Sequence, residues 1–353
     1  MKNITLLLLI LLLNQSNLFS QSCLPGETIL NTQEDIDNFQ TNYPGCTEIE
    51  GSLYITGDNI HNLEGLNVLT TIGGNLTIIN GDSINNLSGL NNINSIGGKL
   101  SIAGVDRIKN LAGLEGLTNI NGMLEIVFLD SLLNLTGMNS LSYVGGSILI
   151  HTNPLLSDLS GIENLSATGG GLSIYNNSNL GNLNDLQNLT SIGDYITISD
   201  NDILESLSGI DNIDPGSITN LSITENDNLS TCEVQSICDY LANPSGTITI
   251  SNNNTGCNTY AEVETACENV SIEEFETNEL FEIFPNPANN RLTIKNKQNL
   301  KIIEVNIFNQ LGEKLCIEKS IYESIDISRL DKGLYIIEIK VDRNKYRKKL
   351  IVK

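Results

Sequence analysis

The chain has 353 residues, 40% of them hydrophobic, with 19 basic and 42 acidic side chains and a formal net charge of −23. The charge is unevenly spread: residues 21–280 hold 33 acids against only Lys99, Arg107 and Lys109, a net of −30, whereas residues 281–353 hold 15 basic and nine acidic side chains, a net of +6. Such an imbalance marks two domains with different jobs, and the acidic one argues against nucleic acid or an anionic membrane as a partner.

In chain order, residues 1–20 read as a signal peptide. Lys2 supplies the positive charge, residues 5–13 form a nearly all-apolar run too short to span a bilayer, and a short polar stretch follows. No later segment reaches the length of a membrane span, so the mature chain is expected to carry no integral membrane segment.

Residues 21–50 read as an N-terminal cap. A helix is predicted over 32–42, with Thr32 as N-cap and acids in its first turn. Six cysteines flank the middle of the acidic region: Cys23 and Cys46 before it, Cys232, Cys238, Cys257 and Cys267 after it. Export makes disulfides the expected use. No CxxC or nearby histidine supports zinc. Cys23–Cys46 is the favoured pair, and the other four allow three pairings. Cys316 is expected to be buried in a sheet.

Residues 51–231 are an internal repeat of about 24 residues. The string G-x-L-x-I recurs at Leu53, Leu76, Leu100, Leu124 and Ile148, with looser copies at Leu172, Ile196, Leu221 and Ile248. Two further blocks accompany it: N-L-x-G-L, as in Asn86-Leu87-Ser88-Gly89-Leu90, and a block ending I-G-G, as in Ile96-Gly97-Gly98. Apolar and polar residues alternate over short spans, so all three blocks are predicted as strands, with Gly and Asn in the turns between them. One repeat cannot bury its Leu and Ile side chains, but stacked repeats can. Residues 232–267, with helical turns predicted over 233–242 and 260–267, read as the C-terminal cap.

Two columns on this stack are candidate sites. Neighbours of the inward Leu/Ile pair face solvent, and mid-stack they become Met123, Glu125, Val127, Leu149, His151, Tyr175 and Tyr195. An apolar and aromatic patch rimmed by polar residues is the pattern of a contact site for a protein or glycan. In the turn after the first strand, Asp58, Asp82, Asp106 and Asp130 recur every 24 residues. They read as Asx-turns or as a carboxylate stripe able to hold calcium. The asparagines at 62, 86, 110, 134 and 182 read as an internal amide ladder. No other cofactor is expected.

Residues 268–280 read as an acidic linker. After Phe284-Pro285-Asn286-Pro287 come short alternating strands predicted at 291–294, 302–309, 315–317, 325–327, 334–341 and 348–352, a spacing that suggests a small β-sandwich. Enzyme signatures are missing: His61 and His151 are the only histidines, and no G-x-S-x-G, P-loop or HExxH occurs. The expectation is no catalysis, with a passive surface component or a carbohydrate-active β-helix enzyme as alternatives.

The repeat, the Asp35-Ile36-Asp37-Asn38-Phe39 helix, Cys46 and the Gly51-Ser52-Leu53-Tyr54-Ile55 strand together resemble the receptor L domain, a leucine-rich-repeat-like β-helix, over about residues 23–267. That resemblance implies a mainly β fold, a right-handed β-solenoid with disulfide-linked caps, which binds partners and carries no catalysis. Residues 281–353 resemble the type A C-terminal sorting domain of the type IX secretion system. The resemblance rests on Phe284, Pro285, Asn286 and Pro287, on Gly312 in a central block, on Gly333 and Tyr335, and on the terminal Lys348 and Lys349. It implies export by the type IX machinery to the medium or the outer cell surface.

Overall fold

The computed structural model describes residues 21–271, 281–297, 300–309, 314–318, 324–341 and 344–353. The signal peptide, most of the linker and Gly312 lie outside them. The chain divides into two compact units, Met1–Glu268 and Asn269–Lys353.

The first unit is built on two parallel sheets among the described residues. One contains ten strands in spatial order Ile248–Ser251, Asn220–Thr224, Tyr195–Ser199, Leu172–Tyr175, Ile148–His151, Leu124–Val127, Leu100–Ala103, Leu76–Ile79, Ser52–Thr56 and Glu27–Leu30. Each strand pairs in register with its counterpart one repeat away, as Leu124 does with Leu100 and Ile148. The second sheet has seven strands, from Gln21–Cys23 and Cys46–Ile49 through two-residue pieces such as Thr71–Ile72 and Ser95–Ile96 to Ala167–Thr168. Residues 21–50 therefore do more than cap, because they supply the edge strands of both sheets.

Period-two alternation explains the long strands: Leu100 and Ile102 are fully buried between outward Lys99, Ser101 and Ala103. The N-L-x-G-L block departs from the predicted strand. Its leucines stand three apart, as in Leu63–Leu66 and Leu87–Leu90, and all are fully buried. A strand would send such a pair to opposite faces, whereas a turn repeating every three residues sends both inward. The block accordingly forms turns, tightening to 3₁₀ at Glu64–Leu66, Asn184–Leu186 and Ser208–Ile210. The I-G-G corner needs glycine because successive backbones nearly touch there: a Cβ on Gly97 would lie 2.1 Å from the Gly73 carbonyl oxygen.

The buried Leu and Ile side chains join into one continuous core from Leu30 to Val263. Each contributes roughly 1.5–3 kcal/mol on burial. Helices close this core at both ends. The predicted N-terminal helix is Gln33–Asp37 with a complete Thr32–Asp35 capping box, then a break at Asn38 and a second piece, Phe39–Asn42. At the other end stand Gln235–Ala242 and Tyr260–Ser271, the latter running four residues beyond the boundary predicted for the cap. Disulfides join Cys23 to Cys46, Cys232 to Cys257 and Cys238 to Cys267.

The asparagine ladder lies in a different column from the one the sequence suggested. Asn153, Asn177, Asn201 and Asn226 are fully buried. Their side-chain amides bond to the preceding repeat and to the next asparagine, as when Asn177 Nδ2 donates to the Ile150 carbonyl at 3.0 Å and to Asn201 Oδ1 at 3.4 Å. Asn253 continues the series. In earlier repeats Val105 and Leu129 fill this column with apolar side chains. The asparagines at 62, 86, 110, 134 and 182 instead make Asx-turns, each accepting from the backbone N–H two residues on at 2.9–3.2 Å.

The second unit is antiparallel. One sheet joins Phe281–Phe284, Arg291–Asn296 and Ile325–Asp326; the other runs in the order Lys314–Glu318, Ile302–Phe308, Gly333–Val341 and Asn344–Val352. Phe281, Leu292, Ile307, Ile337, Ile339 and Leu350 share its core. Cys316 lies in the Lys314–Glu318 strand, which places it in a sheet; its expected burial falls outside the described side chains.

Candidate ligand-binding face

The ten-stranded sheet turns its outward residues into straight rows, because every strand holds the same register. One row reads Ser101, Glu125, Leu149, Ser173, and the next Ala103, Val127, His151, Tyr175, Ser199. Neighbours in a row stand about 4.8 Å apart. Met123 and Tyr195 sit at the strand starts. The structure thus gathers all seven predicted contact residues on one face, around Leu149.

Val127 needs correction as a contact residue. It belongs to an outward row but is only 4% exposed, wedged between Ala103 and His151. Phe128, which sequence reasoning passed over, takes its place at 53% exposed. The Phe128 ring meets His151 edge-on, at 5.1 Å between centroids and 86° between planes, and His151 stacks on Tyr175 at 4.4 Å and 13°. Three aromatic rings from three successive repeats therefore form one terrace.

The backbone beneath the terrace is strained. The residue after each strand of this sheet from Leu76–Ile79 to Ile248–Ser251 adopts the left-handed conformation, at φ 53–60°. Glycine or residues that tolerate it occupy several of these positions: Asn80, Gly104, Asn176, Asp200 and Asn252. In the same column Phe128 (φ 57°) and Thr152 (φ 56°) are a bulky and a β-branched residue in a conformation that disfavours both, at about 1–3 kcal/mol each. A Phe where this column accepts Asn or Gly was the missed signal, and it is readable only once the column is aligned.

Polar groups edge the terrace. Glu125 pairs with Lys99 Nζ at 2.9 Å and accepts from the Ser101 hydroxyl. Partial burial pushes its carboxyl upward, but the Ser101 and Lys99 hydrogen bonds, the Lys99 charge and the nearby His151 together hold it below the ordinary value. Burial lowers His151, with Glu125 opposing, so the ring is neutral at pH 7. Tyr175 is raised, first by burial and then by the charges of Glu125 and Tyr195. His151 Nδ1 lies 2.9 Å from the Thr152 hydroxyl. The Tyr195 ring lies over Gly171, where an added Cβ would come within 2.6 Å of it.

Asp58, Asp82, Asp106 and Asp130 are all exposed. Asp106 is raised by burial and by the charges of Asp130 and Asp82, while accepting from the Asp130 backbone N–H lowers it. Among the described residues, no three His, Cys, Asp or Glu side chains converge closely enough to hold a metal ion.

In the second unit Phe284 is exposed at a strand end. Asn286, between Pro285 and Pro287, donates to the Lys349 carbonyl at 2.7 Å and accepts from the Ile351 N–H at 2.9 Å. Ala288 bridges to Val352, so the first motif of the unit is knitted to its last strand. Gly333 opens the strand that pairs with that last strand, Tyr335 donates to the Asp331 carbonyl at 2.8 Å, and Lys348 and Lys349 pair with Ile337 and Ile336.

Comparison with known proteins finds a family match to part of the first unit and to most of the second. Residues 45–104 match the receptor L domain, and residues 282–353 match the secretion system C-terminal sorting domain. No curated protein matches the chain. Among the described residues no helix is long and apolar enough to cross a membrane. The chain thus joins a receptor L domain segment to a C-terminal sorting domain of the type IX secretion system, and it is a secreted or outer-cell-surface protein.

Proposed function

We propose that the first unit is a right-handed β-solenoid that serves as a non-enzymatic recognition or adhesion module, displayed outside the cell by a sorting domain of β-sandwich form. Its partner is an extracellular protein or glycan, and its contact face is centred on Leu149, His151 and Tyr175. The observation that carries this reading is the aromatic terrace. The Phe128 ring stands exposed beside the half-buried His151 and Tyr175 rings, with strained backbone at Phe128 and Thr152, where Asn or Gly would give the same fold at less cost. Surfaces that only separate other parts have no use for such an arrangement.

The aspartate column is read as solvated turns whose mutual repulsion mobile cations relieve, calcium among them. The test is capture of host proteins and glycans on an array by the exported protein, with and without calcium, compared with the Leu149→Glu variant. A recognition module loses capture in the variant while its melting curve is unchanged. Equal capture by both proteins favours a passive surface component. Glycan turnover abolished by Glu125→Gln favours an enzyme.

A further inference from the structure

The electrostatics around the terrace narrow the kind of partner. Resting on the recognition reading above, we infer that the Phe128–His151–Tyr175 terrace, with Glu125 at its edge, receives an arginine or lysine side chain from a basic polypeptide. Residues 21–280 carry only three basic side chains against 33 acids, and Lys99 is already paired with Glu125. A field of that sign draws cations to the face and turns polyanions away. It also opposes docking of the same acidic surface from a second copy.

Ring faces are the negative side of an aromatic quadrupole and attract ammonium and guanidinium groups. Phe128 and the His151–Tyr175 pair set two ring planes nearly perpendicular, so a flat guanidinium can lie on one ring while its edge meets the other. His151 is neutral at pH 7 and does not repel the incoming charge. Glu125 is ionised and fixed by Ser101 and Lys99, which places a carboxylate beside the rings without a flexible side chain to immobilise. The left-handed backbone at Phe128 projects a large ring from a column whose other members include Asn, Asp and Gly.

The test uses the full exported protein, a labelled peptide alternating glycine and arginine, its citrulline counterpart and a neutral β-linked glucose hexamer, at 0.15 M salt. Phe128→Asn removes the ring while supplying a residue that suits positive φ, so the fold is retained; Tyr175→Leu is the second variant. The arginine peptide binds, the citrulline peptide binds at least tenfold more weakly, and either variant weakens the arginine peptide by about tenfold.

Equal binding of both peptides overturns the inference, as does arginine-peptide affinity unchanged by Phe128→Asn, which marks diffuse attraction to acid. Binding of the hexamer in place of the peptide, or concentration-dependent dimerisation lost in Phe128→Asn, also overturns it and leaves the recognition reading standing. That reading fails separately, when Leu149→Glu leaves array capture unchanged.

Discussion

Replacing Asn177 by alanine is the sharpest perturbation of the first unit. The side chain is fully buried. Its Oδ1 accepts from the Asn153 backbone N–H at 3.2 Å and the Asn153 side-chain amide at 3.1 Å, and its Nδ2 donates to the Ile150 and Tyr175 carbonyls and to Asn201. Truncation leaves the Asn153 N–H and side-chain amide buried without this acceptor. Each group stranded in this way costs about 1–3 kcal/mol, so the expected loss is about 2–6 kcal/mol. The exposed Asx-turn residue Asn86 accepts from the Ser88 N–H and donates to Asn85 Oδ1, both where water can replace the partner, and its alanine variant should lose no more than about 1 kcal/mol. Urea unfolding followed by circular dichroism measures both, and hydrogen exchange at the Asn153 amide locates the damage. A shift below about 1 kcal/mol in Asn177→Ala, with the Asn153 amide still protected, would refute the ladder as a structural element.

Three further outcomes follow from the charges and the second unit. His151 should titrate by NMR below 6.5, because burial opposes its protonation. The unfolded chain then binds the proton more readily, so stability falls as pH drops from about 6.5 toward the folded value, and Glu125→Gln should lower the His151 value further. Asp106→Asn should raise the melting temperature slightly at low ionic strength by relieving Asp82 and Asp130, and the gain should vanish in 0.5 M salt, where surface charges are screened. Asn286→Ala removes two hydrogen bonds to the last strand and should cost about 1–3 kcal/mol. Cell fractionation should then show reduced export with the first unit still folded.

The repeat and its core were legible in the sequence because a Leu/Ile pair every 24 residues can be buried only by stacking. The six predicted strands of the second unit were legible through alternation and turn residues, although Phe281–Phe284, placed just before the proline motif, was not. Chain position gave the right idea at the wrong place for asparagine. Asn86 and Asn177 look alike in sequence, yet one lies at a solvent-facing turn and the other inside, where its amide reaches the next repeat. The spacing-three leucines of N-L-x-G-L imitated a strand because each short span also alternates. The seven residues of the candidate face follow from period two and register. Burial of Val127 does not, because a row position says nothing of how its neighbours cover it. Phe128 became visible only when the backbone sign of its column was known.

The recognition claim is tested most directly by hydrogen exchange on the exported protein, alone and saturated with a partner captured on the array. The account predicts new protection concentrated on the strands Leu124–Val127, Ile148–His151 and Leu172–Tyr175 and on the turn at Phe128. Protection confined to the caps or to the seven-stranded sheet, with those three strands unchanged, would contradict it.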